Sequence, residues 1–146
     1  VRPTRAIFGK KDYQQLLLIT DFVKENNLPI NIIGSEIVRD QSGLALSSRN
    51  NRLSSHEKKL ASNLYKTLKV ITNKGNTLTY DDVLNEKIRL KALGFSIDYL
   101  NICNPQELTE EFNLTIRPLI VAIAAYIGEV RLIDNISMPV EKLHSV

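Results

Sequence analysis

The sequence has little cysteine and histidine and no long apolar run. The single cysteine, Cys103, excludes an internal disulfide framework and leaves no cysteine cluster for zinc. The longest apolar run, residues 119–127, has nine residues, about half of what a membrane-spanning helix needs. From the sequence we expect no signal peptide at the start, and Val1 in place of methionine leads us to expect a fragment or a processed start. We therefore expect a cytoplasmic protein that does not associate with membranes.

The composition is sufficient for a folded core. Of the 146 residues, 43% are hydrophobic, and chains of this size bury about two-thirds of the surface that their unfolded forms expose. The formal net charge of +3 is too small for a typical nucleic-acid-binding protein. Residues 1–53 hold eight basic and five acidic side chains, whereas residues 54–146 hold eleven of each. A basic first third favours a small anionic ligand, and an ordinary basic surface is the alternative.

The apolar periodicity predicts an α/β chain with two domains that meet near Ser54. The first, residues 1–53, has the pattern of a strand, a helix and a second strand, with Asp12 as the helix N-cap. The second, residues 54–146, has the pattern of two helices and a sheet, and Ser54 and Glu57 form a capping box that opens the first of these helices. The predicted strands cover residues 5–8, 30–38, 97–103, 118–127 and 130–136, and the predicted helices cover residues 12–27, 54–74 and 79–94.

The first candidate site is a bend that follows the first predicted strand and contains Gly9, Lys10, Lys11 and Asp12. A strand that turns directly into a helix presents backbone N–H groups and the positive end of the helix dipole to an anion. Gly9 allows a nucleotide to approach the backbone, Lys11 supplies a charge for phosphate, and Asp12 accepts hydrogen bonds from ribose hydroxyls. Gln15 lies one turn later on the same helix face and is suited to a second substrate. A solvated turn before a capped helix is the alternative.

The second candidate site is the polar bend formed by Leu46, Ser47, Ser48 and Arg49. Two hydroxyl groups and a guanidinium on one loop provide a cradle suited to a triphosphate. Arg49 is the strongest element of this cradle, because a guanidinium binds two oxygen atoms at once and an ammonium does not. A polar linker between two domains is the alternative.

Taken together, the two bends resemble the pantothenate synthetase (pantoate–β-alanine ligase) family. The similarity extends to residues 37–39 and to the closing segment 128–135. This family belongs to the nucleotidyltransferase superfamily and is related to the class I aminoacyl-tRNA synthetases. The resemblance implies that residues 1–53 are the last part of a Rossmann-like nucleotide-binding domain. Residues 54–146 would then be a smaller α+β domain with an antiparallel sheet.

The resemblance implies an ATP-dependent ligase that condenses pantoate with β-alanine through a pantoyl adenylate. ATP is then a substrate, Mg²⁺ accompanies it without a carboxylate cage in this chain, and a homodimer is the expected assembly. Lys11, Ser47 and Arg49 are the expected catalytic residues, Gln15 is expected to bind pantoate, and Val38 is expected to meet the adenine through its backbone. The expected ATP-binding residues are Gly9, Lys10, Lys11, Asp12, Val38, Leu46, Ser47, Ser48 and Arg49.

The sequence departs from the family pattern in three places. Lys10 stands where the family commonly has glutamate, and Leu46 stands where methionine is also usual, a swap that conserves volume. The family's His-x-Gly-His motif is missing, because the two histidines, His56 and His144, are 88 positions apart. We therefore expect the chain to be the carboxyl-terminal half of the enzyme, inactive in isolation, with an open apolar sheet edge at Ile7, Phe8 and Ile32.

Two other interpretations stay open at this point. One is a non-catalytic module that acts as a lid or in dimerisation. The other is a fragment of a different adenylate-forming enzyme of the same superfamily, such as a tRNA synthetase. The absence of a Lys-Met-Ser-Lys-Ser sequence and of a strongly basic helix argues against the synthetase. Translating the gene upstream of Val1 and searching for His-x-Gly-His would test the module interpretation.

Overall fold

The computed structural model describes residues 2–114 and 118–138. Its contacts divide the chain into two compact units, Val1–Val38 and Arg39–Val146. The sequence predicts a boundary near Ser54, whereas the segment 39–53 packs with the second unit. The physical reason is that Leu44 and Leu53 are buried in the hydrophobic core of that unit. The assignment of a nucleotide-binding role to residues 1–53 stays a prediction.

The first unit is a strand–helix–strand motif, as the periodicity predicts. Its elements are β1 (Arg5–Gly9), α1 (Tyr13–Glu25) and β2 (Asn31–Ser35). The two strands are parallel, and Gly9 at the end of β1 lies opposite Ser35 at the end of β2. The strand predicted over residues 30–38 is therefore shorter in the structure. It ends at Ser35 because β1 offers no backbone partner beyond Gly9.

The apolar faces of the first unit are only partly covered by the residues that the structure describes. No side chain of α1 is fully buried, and Phe22 on this helix is 59% exposed. On β1, Ile7 is 69% exposed, which confirms the prediction for that residue, whereas Phe8 and Ile32 are half-buried. Exposed apolar faces of this kind are typical of surfaces that contact other protein elements.

The second unit packs two helices on one face of an antiparallel sheet. The sheet contains β3 (Ser96–Cys103), β4 (Leu119–Ile127) and β5 (Val130–Met138), in that order. Of the helices, α2 (Ser55–Asn73) lies over β4 and β5, and α3 (Tyr80–Ala92) lies over β3. The sequence predicts all five elements, and the predicted hairpin between β4 and β5 is confirmed.

The core of the second unit lies between the sheet and the two helices. Its central side chains, Leu64, Leu68 and Ile71 of α2 with Val121 and Ile123 of β4, are at most 2% exposed. Burial of side chains this large stabilises a fold by about 1.5–3 kcal/mol each. The apolar run of β4 is continuous because Ile120 and Ala124, on the opposite sheet face, are also buried.

The face of α3 that packs on the core is not the face on which the apolar spacing places Leu84 and Ile88. Leu84 and Ile88 share one face of the predicted helix, but they are 46% and 57% exposed. Val83 and Leu90 make the core contacts instead. Beside them, Arg89 and Glu86 reach α2, where the buried Thr67 hydroxyl donates to Glu86 Oε2 at 2.8 Å and accepts from Arg89 Nη2 at 2.7 Å. These polar contacts orient α3 and leave the Leu84 face outward.

Side-chain caps begin both helices of the second unit. The predicted box at Ser54 and Glu57 is confirmed: each side chain accepts a hydrogen bond from the backbone N–H of the other residue, at 3.2 and 2.8 Å. A second box joins Thr79 and Asp82 at the start of α3. The Asp82 carboxylate also accepts a hydrogen bond from Lys74 at 2.6 Å. The bonds from Lys74 and Thr79 lower the pKa of Asp82 to about 2.

We expect Asp82→Asn to destabilise the protein and to alter its acid unfolding. The lowered pKa means that the carboxylate contributes stability in full above its ordinary pKa of 3.8, and loses it as the pH falls to about 2. The variant should therefore melt at a lower temperature than the unmodified protein at pH 7, and this difference in melting temperature should shrink as the pH falls across this window. Asp81→Asn, in the same helical turn, is the control and should change little. Equal effects of the two variants would contradict the prediction.

Candidate functional site

The lysine bend, residues 9–12, leaves the carboxyl edge of the parallel sheet. Because Gly9 is paired with Ser35, this bend and the segment 36–38 emerge from neighbouring strand ends. Residues 10–12 form a 3₁₀ turn that leads directly into α1. The carboxyl edge of a parallel sheet beside a helix amino terminus is where α/β proteins commonly bind anionic ligands.

The cationic side chains of the lysine bend have different surroundings. Lys10 forms an ion pair with Glu36, which follows β2, so part of its charge is neutralised within the unit. Lys11 is half-buried. Asp12 stands at the N-cap position of α1 as predicted, but its side chain makes no capping hydrogen bond among the described residues. The Asp12 carboxylate is exposed and does not cap the helix among the described residues.

Two further predicted residues of the first unit present accessible groups. Gln15 lies in the first turn of α1 and is exposed. Val38 follows β2 and is 66% exposed; that it meets the adenine stays a prediction. The structure thus brings Gly9, Asp12, Gln15 and Val38 to one unit.

The serine–arginine bend, residues 46–49, belongs to the second unit. Ser47 caps a short 3₁₀ helix, Ser48–Arg52, and its Oγ accepts a hydrogen bond from the Arg49 backbone N–H at 3.2 Å. Leu46 is 51% exposed, and Ser48 and Arg49 are exposed as well. The Arg49 guanidinium has no ion-pair partner among the described residues. This bend therefore presents hydroxyl groups and a guanidinium to solvent.

An open cavity of about 560 Å³ lies against the serine–arginine bend. Leu46, Ser47 and Ser48 line it, together with Asp40 and Lys58. Lys58 adds a cation beside the bend that the sequence does not predict. The Asp40 carboxylate is engaged by its sequence neighbours: Oδ1 accepts hydrogen bonds from Ser42 and from the Leu44 N–H. The hydrogen bond from the Ser42 side chain, more than any other contact, lowers the pKa of Asp40.

Other reactive side chains lie apart from the two bends in sequence and have structural surroundings. His56 is exposed in the first turn of α2, and His144 lies outside the described residues. Cys103 is 5% exposed, and burial raises the pKa of its thiol, as expected for a core residue. Among residues 2–114 and 118–138, no three His, Cys, Asp or Glu side chains come close enough together to hold a metal ion.

Each predicted site residue thus has a defined place within one unit. Residues 9–12, Gln15 and Val38 lie in the first unit, and residues 46–49 lie in the second. That the two groups meet at one nucleotide stays a prediction. The structure contains no helix, in the part of the chain that it describes, with the length and apolar character of a membrane span.

The fold and the two bends define an α/β protein with two cationic loops, and comparisons with known proteins show its family. The sequence model of the family described as pantoate-beta-alanine ligase matches residues 1–137. The chain is 45% identical over 143 residues to a pantothenate synthetase of Acinetobacter baylyi, covering 94% of this chain and 49% of that protein. It is 46% identical over 140 residues to one of Ruthia magnifica, covering 93% and 49%.

Solved structures give the same result. The pantothenate synthetase of Thermus thermophilus superimposes with a TM-score of 0.84 at 35% identity, over 91% of this chain and 49% of that one. A pantoate-beta-alanine ligase of Francisella tularensis, complexed with beta-gamma ATP and beta-alanine, matches with a TM-score of 0.66 at 30% identity, over 92% and 44%. This chain belongs to the pantoate–β-alanine ligase family. It spans about half the length of the curated relatives that it matches.

Proposed function

We propose that these residues form part of an enzyme that joins pantoate to β-alanine at the expense of ATP. The first unit would contribute the last strand–helix–strand of a Rossmann-like nucleotide-binding domain, and the second unit would contribute the triphosphate loop. The observation that carries the proposal is the serine–arginine bend, where Ser47 and Ser48 line an open cavity. Arg49 follows them in the same 3₁₀ helix, is exposed, and has no ion-pair partner among the described residues. Membership of the family supports the same reaction.

The proposed reaction has two steps. A carboxylate oxygen of pantoate attacks the α-phosphorus of ATP, and the bond to the β-phosphate oxygen breaks to release pyrophosphate. The neutral amine of β-alanine then attacks the acyl carbon, AMP leaves with its oxygen, and the nitrogen loses a proton. No covalent bond to the protein is needed. The protein's part is therefore to position the reactants and to stabilise the developing negative charge.

The residues of this chain have distinct proposed roles. Lys11 contacts phosphate at the amino terminus of α1, where the helix dipole also favours an anion. Arg49 and the Ser47 hydroxyl hold the leaving pyrophosphate, since a guanidinium donates to two oxygens at once. Asp12 accepts from the ribose, and Gln15 donates to pantoate. The whole ATP set comprises Gly9, Lys10, Lys11, Asp12, Val38, Leu46, Ser47, Ser48 and Arg49.

Magnesium is proposed to enter as part of the substrate. Mg²⁺ prefers phosphate oxygens and water to dedicated protein cages, and the described residues contain no metal-binding cluster. When bound to ATP, Mg²⁺ neutralises phosphate charge. Lys10 is already paired with Glu36, so part of its charge is offset within the unit before ATP binds.

The test is an assay of the two steps in the full-length protein that contains these residues. Pyrophosphate release from ATP should require pantoate but not β-alanine, and later addition of β-alanine should yield pantothenate and AMP. If pyrophosphate appears only when β-alanine is present, the adenylate order is wrong. If ATP binds by calorimetry but neither product forms, the protein is the non-catalytic lid or dimerisation module. The proposed homodimer is tested in the same preparation by sedimentation.

A further inference from the structure

A buried ion pair ties the chain just before the serine–arginine bend to the sheet of the second unit. Arg39 donates from Nη1 to Asp134 Oδ2 at 2.6 Å and from Nη2 to Asp134 Oδ1 at 2.8 Å. Asp134 lies in β5 and is 4% exposed. The same Nη1 also donates to the Gly43 carbonyl at 3.1 Å. One guanidinium therefore joins a core strand to the backbone that precedes the bend.

The orientation of Arg39 is fixed from a second direction. Its guanidinium carbon lies 3.8 Å from the centre of the Tyr65 ring, on α2, a cation–π contact. Its backbone pairs with Ala45 in an isolated antiparallel bridge. A planar guanidinium held by a bidentate carboxylate and an aromatic face has little rotational freedom. The position of residues 39–45 is thus set by α2 and β5 together.

Asn50 closes the bend at its other end. Its Nδ2 donates to the Ala45 carbonyl at 3.0 Å, across the bend. The side chain is 8% exposed, and its Oδ1 is buried without a hydrogen-bond partner among the described residues. Because this amide is buried, its hydrogen bond to Ala45 holds the two ends of the bend at a fixed separation.

We propose that Arg39, Asp134 and Asn50 are positioning residues that hold the serine–arginine bend in the conformation that binds the triphosphate. This inference rests on the proposed function of that bend. The anchored ends leave Leu46 and Arg49 exposed to solvent, ready to meet a ligand. A loop that is ordered before the ligand arrives loses less conformational entropy on binding. The three residues thereby favour ATP binding and adenylation without touching the nucleotide.

The test compares Asp134→Asn with Asp98→Asn in the full-length protein. Asp98 forms the control pair, because it accepts from Arg131 on β5 at 2.7 Å, and no hydrogen bond among the described residues joins this pair to the bend. Asp134→Asn should raise the KM for ATP about tenfold and slow pyrophosphate release, as expected for a misplaced binding group. The KM for β-alanine, and the rate at which preformed pantoyl adenylate yields pantothenate, should stay unchanged. Asp98→Asn should change none of these constants.

Two further variants keep the test decisive if Asp134→Asn does not fold. Arg39→Lys keeps the charge but loses the bidentate geometry, and Asn50→Ala removes the contact with Ala45; each should reproduce the ATP-specific effect. In a chain that already carries Arg49→Ala, Asp134→Asn should add little further loss, because the group that it positions is gone. A merely structural role would lower the melting temperature and every rate together.

The outcomes separate the inference from the function on which it rests. If the unmodified protein releases pyrophosphate with pantoate, but the three variants change the KM for ATP no more than Asp98→Asn does, the positioning role is wrong. The same holds if all steps slow equally, or if Asp134→Asn and Arg49→Ala are additive. If the unmodified protein does not release pyrophosphate with pantoate, the proposed function is wrong, and the positioning role, which depends on it, is wrong as well.

Discussion

Replacing Arg49 with alanine in the full-length protein should lower the rate of pyrophosphate release by a factor of about one hundred or more. The guanidinium has no ion-pair partner among the described residues, so its removal breaks no internal pair and should leave the melting temperature unchanged. The loss is then attributable to the charge that faces the substrate. Rapid-quench measurement of pyrophosphate from ATP and pantoate gives the rate directly.

Arg52→Ala is the matched control for Arg49→Ala. Arg52 lies in the same 3₁₀ helix and is also exposed, but it is not among the proposed site residues. Its removal should change the rate less than twofold. Arg49→Lys should fall between the two, because a lysine keeps the charge and loses bidentate donation. A change below twofold for Arg49→Ala would remove Arg49 from the mechanism.

Replacing Gly43 with alanine should strongly destabilise the second unit. Gly43 has a φ of +90°, and an added Cβ would lie 2.5 Å from Cδ1 of Tyr65. The left-handed backbone costs about 1–2 kcal/mol for a residue with a Cβ, and displacing a packed ring costs about 1–3 kcal/mol more. Because Tyr65 also stacks on Arg39, the KM for ATP should rise as well.

Gly94→Ala separates the two contributions to the Gly43→Ala effect. Gly94 has a φ of +92°, but an added Cβ there would meet no atom within 4 Å. This control should therefore show the backbone cost alone, with no change in the KM for ATP. Thermal and urea unfolding of both variants give the comparison. Equal destabilisation by the two substitutions would show that the Tyr65 ring moves aside with no loss of stability.

Most elements of the fold are predictable from local sequence. The box at Ser54 and Glu57 predicts where α2 begins, since its hydrogen bonds join residues three apart. The continuous apolar run of β4 and the turn at Gly128 predict a buried hairpin, which is confirmed. These features depend on neighbouring residues and on a regular period, and both can be read along the chain.

Features that depend on partners far away in the sequence are harder to predict from the sequence. The β2 strand ends three residues before the predicted Val38, because its length is set by β1. Leu84 and Ile88 share a helix face and are nonetheless exposed, because the apolar spacing does not say which face the sheet will cover. Lys58 lines the cavity at the bend, but a lysine on a helix surface carries no local sign of such a neighbour.

The sequence by itself determined most of the secondary structure, the two cationic bends and, through resemblance, the family. Only the tertiary structure decided that residues 39–53 pack with the second unit and that Arg39 meets Asp134, which lies 95 positions away. The reason is that helices and turns are stabilised by contacts within a few residues, whereas a buried ion pair forms only where packing brings two remote segments together and excludes water from both.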